Sequence, residues 1–163
     1  MEAFQAHHHH GHEAAPSATA AGTATLALRA TLHCLTGCSI GEILGMVIGP
    51  SIGLDLWETV ALSVVLAFIF GYAFTLVPLL KALPFRQALL LALASDTFSI
   101  AIMEVVDNAV MMTIPGAMEA GPGDLLFWGS MAFSLLLAGS AAFPVNLWLV
   151  RRGKGAHGAH AAH

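Results

Sequence analysis

Four apolar stretches of the chain are each long enough to cross a lipid bilayer, and this constrains the fold more than any motif does. They cover about 26–48, 57–83, 85–114 and 125–150. A helix needs about 20 residues to span the hydrocarbon core, and inside a membrane only helices or closed barrels satisfy their backbone polar groups. The sequence therefore predicts an all-α integral membrane protein. Pro50, Pro84, Pro115 and Pro122 punctuate the junctions, where residues that cannot continue a helix belong. The intervening loops are short, so consecutive helices should be antiparallel neighbours in a four-helix bundle. The predicted organisation is a tail over 1–24, a transmembrane domain over 25–152 and a second tail over 153–163.

Composition agrees. Only 10% of the 163 residues are charged, against about 25% in soluble domains. The six Lys and Arg residues form no dense block, so the electrostatic footprint of a nucleic-acid binder is absent. They do have an order. Arg29 flanks the first span, Lys81 and Arg86 flank the loop between the second and third, and Arg151, Arg152 and Lys154 follow the fourth. The other two loops hold Asp55, Glu58, Glu119 and Asp124. All six basic residues fall on one side only if there are four spans. The positive-inside rule then predicts that both termini are cytoplasmic.

Ionisable groups within a span cost ~2.5–3.5 kcal/mol on insertion scales and are usually functional. The first span carries His33, Cys34, Cys38 and Glu42, and the third carries Asp96, Glu104 and Asp107, with Asn108 beside them. Cys34, Cys38, Glu42 and Met46 recur every four residues, as do Gly37, Gly41, Gly45 and Gly49. The glycine stripe overlaps the side that carries the sulfur and carboxylate groups, and small residues at this spacing let another helix approach closely, so those groups should point into the bundle. On the third span Asp96, Ser99, Met103, Glu104, Asp107 and Met111 share about half the circumference at about 100° per residue. Counted from the span midpoints, Cys34 aligns with Asp96, and Glu42 with Glu104. If these spans touch, they form a column of His, Cys, Asp, Met and Glu across the membrane. The second span reads as scaffold, and Ser130, Ser134, Ala138 and Ala142 of the fourth read as a close-packing face.

Thiols, thioethers and imidazoles suit Cu(I), and carboxylates extend the set to zinc. The expected metal-site residues are His33, Cys34, Cys38, Glu42, Met46 and Met103. Asp96, Glu104, Asp107 and Asn108 would line an ion pathway and compensate its charge. Both tails are rich in histidine: His7, His8, His9, His10 and His12 before the spans, His157, His160 and His163 after them. Their composition predicts no packed structure, and His-rich tracts gather metal ions. Cysteine and methionine are also ordinary packing residues, so two other readings stand. One is a proton- or cation-coupled carrier of a small solute that uses the carboxylates alone. The other is a non-transporting subunit whose polar groups pair with another membrane protein. Four spans make a thin bundle, so a path across the membrane would call for a homo-oligomer. Enzyme chemistry is not expected: His33 and Cys34 project about 100° apart on a helix, poor geometry for a thiol–base pair.

The stretch TLHCLTGCSIGEILGM, over 31–46, resembles the signature of a bacterial membrane family catalogued only as a domain of unknown function. Its members have a four-span core with His-Cys and a second Cys four residues further on, in the first span. SDTFSIAIMEVVDNAVM, over 95–111, resembles the acidic third span of that family. The resemblance covers about 25–152. It implies the four-span fold and a bacterial inner membrane, but no activity.

Overall fold

The computed structural model describes residues 20–152. It contains four helices: α1 (Ala20–Ser51), α2 (Leu56–Leu79), α3 (Phe85–Thr113) and α4 (Leu125–Arg151). No strand occurs among the described residues. Each helix is long and apolar enough to cross a membrane, and the chain is a multi-pass, membrane-type helical protein. Helix α1 begins earlier than hydropathy predicted, because its first turns are alanine and threonine rather than aliphatic residues. The second span was expected to run to 83, but α2 ends at Leu79. Pro78 lies in its last turn, and Leu80, Lys81 and Ala82 form a turn ahead of Pro84. The expected tail histidines at 7–12 and 157–163 lie outside the described residues.

The junctions follow local chemistry. After α1, Gly53 adopts φ 82°. Leu54 N–H bonds to Gly49 O at 3.0 Å and Gly53 N–H to Pro50 O at 3.1 Å, the Schellman closure that needs a residue with positive φ. Asp55 then caps α2, accepting from Glu58 N–H at 2.8 Å, while its own N–H donates to Glu58 Oε2 at 3.1 Å. Asp124 caps α4 by accepting from Leu126 N–H at 2.9 Å. Three of the four loop acids therefore stabilise helix starts. They also mark one end of the bundle, the acidic end. Arg29, Lys81, Arg86, Arg151 and Arg152 are all exposed and mark the other, basic end.

Helices α1 and α2 pack through their backbones. The buried residues of α2 are Thr59, Ser63, Ala67, Gly71, Thr75 and Leu79, a strict four-residue repeat. It runs antiparallel to the α1 glycines. A Cβ on Gly37 would stand 2.7 Å from Gly71 Cα; one on Gly41 would meet the backbone of Leu66 and Ala67; Gly45 faces Ser63, and Gly49 faces Thr59. Each four-residue step along α1 meets a four-residue step back along α2. Helix α3 packs on α4 and also reaches α1, so α1 and α3 form the close diagonal, with α2 and α4 on opposite outer sides.

Candidate functional site

The diagonal brings together the polar residues of α1 and α3. Cys34, Cys38, Glu42, Asp96, Met103, Glu104 and Asp107 are all at most 5% exposed. Helical spacing decides who meets whom. Cys34 lies by Asp96 and Ser99, and Asp96 Oδ1 accepts from Ser95 Oγ at 2.6 Å. One turn on, Cys38 lies against Glu104 and near Glu42. A further turn on, Glu42 meets Asp107 as well as Glu104, and Asp107 is also reached by Ser134 of α4. The depths of α1 and α3 inferred from span midpoints thus correspond to neighbours in space.

Three carboxyl groups, Glu42, Glu104 and Asp107, share one enclosure. Glu42 Oε2, both oxygens of Glu104 and Asp107 Oδ1 are buried and make no hydrogen bond of full geometry, although Glu42 and Asp107 lie within hydrogen-bonding reach of each other, Glu104 of Cys38 and Asp107 of Ser134. Every described Lys and Arg is exposed at the far, basic end. Buried anionic oxygens without well-formed hydrogen bonds cost several kcal/mol each, so this cluster requires positive charge from outside the described chain, as a proton or another cation. A cavity of about 290 Å³ reaches it. Glu42, Asp107 and Asn108 line its inner part, and exposed Ser51, Glu119 and Pro122 line its mouth at the acidic end. Asn108 also donates from Nδ2 to Glu104 O at 2.9 Å, on its own helix.

Below the carboxylates the interior closes. Cys34 and Cys38 pack with Ala67, Ile100, Met103, Ala138 and Ala142 in one apolar cluster. Both cysteines are free thiols. The expected metal-site residues therefore divide between two places: Met46 lines the cavity with Glu42, while Cys34, Cys38 and Met103 lie in the closed layer. Among the described residues no three His, Cys, Asp or Glu side chains converge tightly enough to hold one metal ion.

His33 sits apart from both. Its Nε2 is 2.7 Å from Phe74 O on α2, and its ring meets the Phe74 ring edge-on, centroids 5.5 Å apart. The reason lies one turn along α2. Pro78 has no N–H, so it withholds the helical bond that Phe74 O would accept, and His33 takes that place. A carbonyl only accepts, which puts a proton on Nε2.

Two polar residues outside the expected set contribute. Asn146 of α4 donates from Nδ2 to Thr31 Oγ1 of α1 at 2.9 Å and to Ser99 Oγ of α3 at 3.0 Å, joining three helices. Its place on the four-residue repeat of α4, in line with Ser134, Ala138 and Ala142, was the signal. Tyr72 OH of α2 pairs with Thr97 Oγ1 of α3 at 2.8 Å.

Neither the curated proteins nor the solved structures contain a match to the chain. Residues 24–155 do match a family model, described as "Domain of unknown function (DUF4396)". The match takes in all four helices, including the paired cysteines of α1 and the acidic face of α3, and the chain belongs to that family.

Proposed function

We propose that the protein carries cations across a membrane through its acidic interior. The ion enters by the acidic-end cavity and is neutralised at Glu42, Asp107 and Glu104, which exchange it for protons. The carrying observation is that Glu42 and Asp107, each with a buried oxygen lacking a well-formed hydrogen bond, lie at the inner end of a cavity whose mouth is exposed, with Glu104 beside them. The positive-inside rule places the basic end in the cytoplasm, so the cavity faces outward across a bacterial inner membrane. Both His-rich tails then lie on the cytoplasmic side, where they gather the ion.

The test is proton counterflow. The full chain is reconstituted in vesicles containing a pH-sensitive dye and challenged in turn with Cu(I), Zn(II) and Na⁺. Proton movement with at least one ion is expected, reduced at least tenfold by Glu42→Gln. No proton movement with any of the three, or full movement in the variant, overturns the reading.

A further inference from the structure

The cavity that leads to the carboxylates is lined by more sulfur than its position requires. Met46, Met111 and Met118 all border it. Two of them follow a rule of spacing: Met46 lies one turn beyond Glu42 on α1, and Met111 one turn beyond Asp107 on α3. Each carboxylate at the inner end is thus preceded, on the way in, by a thioether on the same helix, and Met118 arrives from the loop between α3 and α4. Met111 is 2% exposed and Met46 half-buried. Pro50 adds a backbone acceptor, since it has no N–H for the carbonyl of Met46, and irregular backbone at membrane depth is tolerated where it lines a cavity.

We propose that this vestibule is a binding site for a soft monovalent metal ion, Cu(I) or its redox-stable analogue Ag(I), held by the thioethers of Met46, Met111 and Met118 ahead of the carboxylates. The donor chemistry selects the ion. Thioether sulfur is a soft, neutral ligand that favours Cu(I), whereas Ca²⁺ and Mg²⁺ demand oxygen ligands. Three neutral donors leave the single positive charge uncompensated. The buried Oε2 of Glu42 and Oδ1 of Asp107, neither in a well-formed hydrogen bond, supply the balance one turn deeper. The order from the mouth inward is thioether, carboxylate, thiol. A soft ion is first recognised by sulfur without proton exchange and reaches Cys38 only after passing the carboxylates. The inference rests on the cation-carrier reading and narrows its substrate.

The experiment uses the full chain with Cys34→Ser and Cys38→Ser, so that methionine is the remaining source of sulfur. One equivalent of Cu(I) is added under reductant, and X-ray absorption at the copper edge identifies the neighbouring atoms. At least two sulfur neighbours are expected. Adding Met46→Leu, Met111→Leu and Met118→Leu should remove them and weaken Cu(I) binding at least tenfold. Leucine keeps the volume of methionine, and the single variants Met46→Leu and Met118→Leu, at less buried positions, give a reading if the triple variant misfolds. Each should lose one sulfur neighbour. Nitrogen and oxygen neighbours alone in the parent, or sulfur that persists through the leucine variants, overturns the proposal. The two readings fail separately. Proton counterflow with Zn(II) or Na⁺ but no sulfur-bound copper keeps the carrier and removes the soft-metal vestibule. Sulfur-bound copper without counterflow keeps the site and removes the carrier.

Discussion

The two sides of α1 face two different seams. Toward α2, the helix presents Gly37, Gly41, Gly45 and Gly49, and the contact is backbone against backbone at Gly37 and Gly41, with Ser63 and the Thr59 side chain against Gly45 and Gly49. Toward α3 it presents Cys34, Cys38 and Glu42, and the contact is thiol and carboxylate against carboxylate. In a bilayer, close van der Waals packing is a principal source of helix association, and the first seam supplies it. The second leaves buried oxygens without well-formed hydrogen bonds, which opposes association. One helix therefore separates two tasks: the glycine side holds the bundle together, and that grip offsets the strain of the acidic side.

Four variants would break or sharpen this contrast, all read by detergent-titrated unfolding in micelles. Gly41→Ala should have the largest effect, about 3 kcal/mol at the upper end of overpacking costs, because its Cβ would meet the backbone of Leu66 and Ala67 rather than a movable side chain. An unchanged midpoint would mean that the glycine seam is slack. Asn146→Leu comes next. It loses the two hydrogen bonds that tie α4 to α1 and α3, and should cost about 0.6–1.7 kcal/mol. Gly129→Ala should move the other way by up to about 1 kcal/mol, since this α4 glycine has open space where the Cβ would go and alanine is the better helix former. Destabilisation there would show that not only the α1 glycines are packed. Glu42→Gln should change stability least, with the midpoint equal or slightly higher, because an amide is easier to bury than a carboxylate. A loss as large as that of Gly41→Ala would make the acidic seam structural and erase the contrast.

The parts of the fold that repeat along the chain were readable from it. Four spans followed from hydropathy and the placement of basic residues; the four-residue spacing of α1 showed both its repeats but put them on one side, whereas the glycines face α2 and Cys34 and Glu42 face α3. The neighbours of Cys34 and Glu42 on α3 followed from depth alone, because two antiparallel crossings return α3 to the direction of α1. What escaped depended on two helices at once. Helix α2 looked like scaffold because Thr59, Ser63, Ala67, Gly71 and Thr75 are individually unremarkable polar or small residues; they matter as the counterpart of the α1 glycines. His33 was grouped with Cys34 because it adjoins it in sequence, but Phe74 O, freed by Pro78, lies on another helix. Met118 lies outside the spans, where no helical period could connect it to Met46 and Met111. The partners of Asn146 gave no sign in the sequence, because the hydroxyls it bonds, on Thr31 and Ser99, lie on two other helices.

The matched repeat of α1 and α2 has a mechanical consequence. Four contacts, spaced one turn apart with no room for a Cβ, leave these helices no freedom to slide or roll against each other. They behave as one blade. The closed layer of Cys34, Cys38, Ile100 and Met103, which an ion of the proposed carrier would have to pass to leave by the basic end, is divided between this blade and the α3–α4 pair. For the carrier proposed above, the hinge line would run along the acidic diagonal itself, so the groups that receive the cation would stand on the surfaces that have to part.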